Sequence, residues 1–207
     1  MNSGSVRTGA VAVAVLAILV ISGCATEPKP TPVQPTETAE PSETPTAVAE
    51  PTEKPLEFNQ PRACLEMLPP SRLDAFADDR LDLLGGPGGV YGTSYFSDAT
   101  PEEAEGGISC IWGSESMQTR QIVISVAPVS PANRLRITDE FAAQGLNEDR
   151  IEDTMVYGRE GDLEIAPSVL NVLREDSWIS VITSPGGQES YEEAQAIVGE
   201  VAGSVYR

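Results

Sequence analysis

Between Ala25 and Pro55 the chain places eight Pro, seven Thr and six Glu in thirty-one residues, with no Gly and no aromatic side chain. Such a segment has too little apolar area to offset the conformational entropy of ordering, so it cannot contribute to a core. Its Pro-Thr and Glu-Pro steps favour extended polyproline II backbone. At about 3.1 Å per residue it would reach roughly 100 Å fully extended, and nearer 30 Å as a coil. The composition reads as a tether, either a passive spacer or a stalk of the Thr- and Pro-rich kind that accepts O-glycans. Folding is thereby confined to residues 56–207. These 152 residues are enough for one domain that buries roughly 70% of the surface its unfolded chain exposes.

What precedes the tether indicates where that domain is held. Arg7, twelve unbroken apolar residues from Ala10 to Ile21, and small residues before Cys24 follow the order of a secretory signal. The run is shorter than the roughly 20 apolar residues needed to cross a bilayer. Ile21-Ser22-Gly23-Cys24 resembles the bacterial lipobox, usually Leu-Ala/Ser-Gly/Ala-Cys, with Ile in place of the commoner Leu. The resemblance implies cleavage before Cys24 and a diacylglycerol on its thiol. Each buried methylene contributes about 0.8 kcal/mol, so two or more acyl chains anchor stably where one would not. The expected organisation is a signal peptide over residues 1–23, a lipidated cysteine and tether over 24–55, and one globular domain over 56–207. That domain would stand at the outer face of the cell membrane.

The domain carries ten Arg, no Lys and 26 acidic residues, a formal charge of −16. Affinity for phosphate comes from clustered cations, so nucleic acid is disfavoured as a partner, and anionic lipid headgroups repel such a surface. The chain has no His, which removes His-based triads, His-ligated zinc and the commonest general base near neutral pH. Without Lys in the domain there is no candidate for Schiff-base chemistry or for a phosphate-binding lysine. No catalytic residue, metal ligand or cofactor is therefore assigned. Carboxylates remain: Asp98, Glu102, Glu103 and Glu105 could pair for glycan hydrolysis, although a solvated acidic loop is the simpler account. Glu160-Gly-Asp162-Leu-Glu164 lacks the spacing of a calcium loop. The glycines from Gly85 to Gly89 read as a turn, since they reach backbone angles closed to other residues.

With Cys24 acylated, Cys64 and Cys110 remain, and an even pair outside the cytoplasm reads as a disulfide. Closing a loop of about 47 residues would stabilise the fold by roughly 4 kcal/mol. Around the pair, short helical segments are expected at 63–68 and from Pro70 or Ser71 to Phe76, and a strand at 90–96 after the glycine loop. An acidic loop at 98–107, strands at 108–113 and 121–126, and a helix from Ser130-Pro131 towards Gly145 follow. Further strands are expected at 153–159, 168–173 and 178–183. Ser190-x-x-Glu193 reads as a capping box that opens a final amphipathic helix. The order implies an α+β domain: a mostly antiparallel sheet packed with helices on one face, one disulfide and a C-terminal amphipathic helix. Tyr91 and Tyr95 would share one face of the expected strand. With Trp112 and Trp178 they are the ligand-binding candidates, core packing being the simpler account of the two tryptophans.

Pro61-Arg-Ala-Cys64-Leu-Glu-Met-Leu68 together with Cys110-Ile-Trp112 resembles a group of actinobacterial surface lipoproteins with Cys-x-x-Leu-Leu-like and Cys-x-Trp signatures, Met67 standing where Leu is commoner. The resemblance spans 61–126 and implies a Cys64–Cys110 bridge and an envelope location. It brings no catalytic residue. A looser similarity of element order to PsbP-like α+β domains agrees with the sheet-and-helix arrangement. The expected function is a non-enzymatic binding or interaction module presented on a stalk, with the membrane as partner through Cys24 and an envelope protein or a small apolar ligand beyond it. One alternative is a carrier of a small lipid or other apolar ligand, which needs a cavity between sheet and helix. A carboxylate-dependent wall-glycan hydrolase is the other.

Overall fold

The computed structural model describes residues 56–207 apart from 115–119 and 152–153. The signal, Cys24 and the tether lie outside the described residues. Among the described residues seven strands form one antiparallel sheet: β1 (Asp82–Gly85), β2 (Ile108–Gly113), β3 (Gln121–Pro128), β4 (Asn147–Ile151), β5 (Thr154–Arg159), β6 (Ser168–Leu173) and β7 (Ser177–Ser184), in the order β1-β2-β3-β7-β6-β5-β4. The sheet is two meanders, β1–β3 and β4–β7, whose last strands pair from Gln121↔Ser184 to Pro128↔Ser177. The central strands are covered on both faces and accordingly read as near-continuous apolar runs. At the edge, β4 is exposed along its whole length, and Glu148, Asp149 and Arg150 blunt its open backbone.

Four helices cover the sheet: α1 (Pro70–Asp78), α2 (Pro101–Ala104), α3 (Pro131–Ala143) and α4 (Gln188–Val205). On α4, Ala194, Ile197, Val198, Val201 and Val205 recur at helical spacing and turn inward. They pack with Phe76 of α1 onto Trp112, Ile124, Ile179 and Val181 of the sheet. Arg72 of α1 fixes the two helices together through paired bonds to the Glu200 carboxylate at 2.6 and 2.7 Å. On the same face the Cys64–Cys110 disulfide, with Cα atoms 5.7 Å apart, ties the 3-10 turn Cys64–Glu66 to β2.

The fold class is the expected one, and α1 and α4 share one face as anticipated. α3 lies on the other, where Ile137 and Phe141 pack against Tyr157, Leu173 and Trp178. The physical reason is in the strands: Trp178-Ile-Ser-Val-Ile182 does not alternate apolar with polar, so both of its faces need cover. The unit Thr52–Arg207 owns both cores and the disulfide. Its described ends meet, Phe58 bridging Tyr206 and the Glu57 N–H donating to the Arg207 carbonyl at 3.0 Å. It is a compact unit with its own cores.

Several local expectations need correction. The strand expected at 90–96 is instead a 3-10 turn, Gly92–Tyr95, and the strand of this region, β1, precedes the glycines. The N–H groups of Val90 and Tyr91 bond back to the carbonyls of Leu83 and Leu84, which curls the chain that an extended run would have carried onward. Gly86 permits this at φ +100; a Cβ there would meet the Ser109 carbonyl at 2.4 Å. The acidic loop contains α2, opened by a capping box between Thr100 and Glu103. Ser190 does not cap α4, because Gly187 at φ 102 turns the chain into the helix earlier. The helical segment expected at 63–68 is only the short turn at Cys64. The strand expected from 153 begins at Thr154, and Asp153 lies outside the described residues.

Candidate functional site

Directly paired residues of antiparallel strands stand on the same face. The register Ser109↔Ser125, Ser125↔Ser180, Asn171↔Ser180, Tyr157↔Asn171 and Glu148↔Tyr157 therefore draws one polar row across six strands on the α3 face. Ser109, Ser125, Ser180 and Asn171 are all buried in mid-sheet. They are not orphaned. The Ser109 hydroxyl lies 2.8 Å from that of Ser125 and 2.5 Å from that of Thr100, and the Trp178 indole N–H donates to Asn171 Oδ1 at 2.9 Å. At the far end, burial and then Glu148 push the Tyr157 phenol above its ordinary range. The rows on either side are apolar: Val123, Ile182 and Val169 on one, Ala127, Trp178 and Leu173 on the other.

Above this row α2 and α3 leave a cavity of about 230 Å³. Its walls are Phe96, Phe141, Trp178, Val123, Val169 and Ile182, its floor is Ser125, Ser180 and Asn171, and Glu140 of α3 and Gln144, which caps that helix, also line it. An apolar cavity of about 150 Å³ accommodates a molecule the size of benzene, so this space suits a ring with a short substituent. Ligand pockets are commonly apolar with a few placed polar groups, and this one has that composition.

Glu102 is the ionisable group driven deepest into the site, only 6% exposed. The Thr100 cap and Pro101 begin a one-turn helix that points Glu102 at the sheet. Glu103 meanwhile folds back to accept the Thr100 N–H at 3.0 Å. Burial, the largest cause, raises the Glu102 carboxyl above the usual range. Hydrogen bonds from its own backbone N–H, Ser180 and Thr100 oppose the shift, and the neighbouring Glu103 adds to it. Among the described residues the cavity lining holds two carboxylates, Glu102 and Glu140, and no cationic side chain.

Of the four aromatic candidates, only Trp178 lines this cavity. Trp112 is buried on the opposite face, its ring 5.6 Å from Phe76. Tyr91 and Tyr95 do meet, with centroids 5.8 Å apart, but on the turn beside the site; Phe96, next to Tyr95, is the residue that enters the wall. Cys64 and Cys110 are bonded on the α4 face, and Cys24 lies outside the described residues. The acidic stretch does not act as one group. Glu103 caps α2, Glu105 pairs with Arg136 and accepts from Asn133, Asp98 is exposed, and Glu102 alone turns inward. Asp162 accepts the N–H groups of Glu164, Ile165 and Ala166, which hold its carboxyl below the usual range and make it a loop cap. Among the described residues no three His, Cys, Asp or Glu side chains converge as a metal site, and no helix is long and apolar enough to cross a membrane.

The floor residues were not expected as site residues, and Glu102 was weighed only as one of four carboxylates of the acidic loop. A signal for the floor exists in the chain: Ser109, Ser125, Asn171 and Ser180 each stand alone inside an apolar strand run, where a polar side chain must find a buried partner. Comparison of the chain with protein-family models, with curated proteins and with solved structures gives no match, so the site is read from its own geometry.

Proposed function

We propose that this chain is a lipoprotein held by Cys24 at the outer face of the cell membrane, whose tethered domain binds a small, largely apolar molecule in the cavity under α3 without transforming it. The observation that carries the reading is a buried row of hydrogen-bonding groups across the floor of a cavity walled mainly by apolar side chains. A row that served packing alone would be better replaced by apolar residues, since each buried polar group risks about 1–3 kcal/mol if it loses its partner. The disulfide agrees with an oxidising compartment, and the lipobox-like segment and the tether agree with presentation away from the headgroups.

A native mass spectrum of residues 56–207, secreted into an oxidising envelope and purified gently, tests this. The expected result is an added mass that disappears on denaturation and that Ser180→Phe, which would fill the cavity, prevents. A bare chain that no small apolar amine, alcohol or acid stabilises against heat would overturn the reading in favour of a protein partner.

A further inference from the structure

We propose that the ligand of this cavity is a small organic cation, an ammonium group on an apolar body about the size of one substituted ring, with Glu102 as its counter-ion. The proposal rests on the reading that the cavity is a ligand site and names the chemistry it selects.

The first argument is the charge balance of the lining. Glu102 and Glu140 are its ionisable groups, and no Arg stands among them. The neighbouring cation, Arg136, is already engaged: it pairs with Glu105 and donates to Glu140 at 2.6 Å. That leaves the buried carboxylate of Glu102 with hydroxyl and backbone partners and no cationic one among the contacts that set its charge. A fatty acid, phosphate or other anion would bring like charge beside it in a poorly solvated site. A cation would supply what the site lacks.

The second argument is the match of donors and surfaces. An ammonium group donates in several directions and accepts in none. Beside Glu102 the floor carries the side-chain oxygens of Ser125, Ser180 and Asn171, each with a lone pair beyond the bond it already makes. Phe96, Phe141 and Trp178 make the walls aromatic, and their ring faces attract cations. At about 230 Å³ the space takes a ring with a short amine arm and is too small to enclose a long acyl chain.

The third argument is linkage. Burial favours the protonated form of Glu102, whereas a bound ammonium favours the carboxylate, so protonation of Glu102 and binding of the cation oppose each other. The groups around Glu102 leave room for this response. Glu103 lies on its own helix, Glu140 lines the same cavity from α3, Arg136 is exposed and paired with Glu140 and Glu105, and the strands below contribute hydroxyls and one carboxamide.

Titration calorimetry of residues 56–207 with benzylamine, benzyl alcohol and benzoate tests the proposal, because the three share one ring and differ in charge. Benzylamine is expected to bind about tenfold more tightly than benzyl alcohol, a gap of about 1.4 kcal/mol, and benzoate not to bind. Glu102→Gln should remove the advantage of the amine, so that the ratio of benzylamine to benzyl alcohol affinity falls from about ten to about one. Equal affinities for amine and alcohol, or an amine affinity indifferent to Glu102→Gln, would overturn the cation assignment and leave the cavity standing as a ligand site. If none of the three binds and the native spectrum is bare, the ligand-site reading fails and takes this proposal with it. Should Glu102→Gln not fold, the wild-type domain decides: its affinity for benzylamine is expected to fall as the pH is lowered and Glu102 takes up its proton, while that for benzyl alcohol does not follow it, and an amine affinity indifferent to pH would refute the proposal.

Discussion

The strand β3 shows both faces of the sheet in six consecutive residues. Ile122, Ile124 and Val126 point towards α4 and are fully buried, while Val123, Ser125 and Ala127 point towards α3 and alternate apolar, polar, apolar. The same contrast holds in β7, where Ile179 and Val181 meet α4 while Trp178, Ser180 and Ile182 meet α3 or the cavity. On the α4 face, buried polar side chains are confined to the ends of the sheet. Ser168 and Thr183 reach loop and helix carbonyls at one end, and Ser177 meets the Tyr206 hydroxyl at the other. On the α3 face they sit in the middle. Cover differs as well: α4 buries five side chains along its length and α3 only Ile137 and Phe141. One face is thus a sealed core and the other a half-covered one whose remaining space has a polar floor, and the strands are common to both.

The largest effect should come from the brace of the sealed face. Cys64 and Cys110 are 46 residues apart, and replacing both with Ala removes a constraint on the unfolded chain worth about 4 kcal/mol. Urea denaturation followed through Trp fluorescence measures the loss. A loss below about 1 kcal/mol would mean that α1, α4 and the strands hold that face without the bond, and the contrast would then rest on packing alone.

The next test compares the two faces within a single strand. Ile179→Ala and Ile182→Ala are the same chemical change three residues apart on β7, one in the α4 core and one beside the cavity. A large-to-small change costs more where the site cannot collapse and every lost contact was made. Ile179→Ala is expected to destabilise by about 3 kcal/mol and Ile182→Ala by about 1 kcal/mol. Equal losses would show that the α3 face is packed as a core and that the cavity is a shallow surface feature.

What the sequence reveals follows the same division. The spans of β2 and β6, the α4 spacing and the cysteine pair were legible because the sealed face obeys period and burial rules that local residues state by themselves. β1 is four residues long and β4 wholly exposed, so neither carries an apolar pattern to find. Tyr91 and Tyr95 were joined by an assumed strand period, whereas a turn brings them together. For the site, each of Ser109, Ser125, Asn171 and Ser180 is visible as a lone polar residue in an apolar run. Their alignment into one row is a property of register, and register depends on partners far apart in the chain. Glu102 was hidden for a different reason. Thr100-Pro-Glu-Glu103 is a capping box like the one expected at Ser190, but in a short acidic stretch solvation looked the simpler fate.

The smallest effect expected is a change of slope with pH, and it separates the faces by electrostatics. Burial raises the Glu102 carboxyl above the usual range in the folded domain, so the native state holds that proton more tightly than the unfolded chain does. The corresponding stability is fully present below the ordinary carboxylate value, near pH 4, and is lost as the pH rises through the raised one. Glu102→Gln cannot ionise and should lack this decline. Relative to the wild type it should gain stability as the pH is raised from about 4 towards neutrality. Ile179→Ala supplies the reference for the sealed face, whose core is made of apolar side chains; its curve of urea midpoint against pH should run parallel to that of the wild type. If the Glu102→Gln curve also runs parallel, the carboxyl does not titrate differently in the folded domain, and the two faces differ in packing only. A divergence confined to Glu102→Gln would locate the charge of the α3 face at the cavity, where a cation could draw on it.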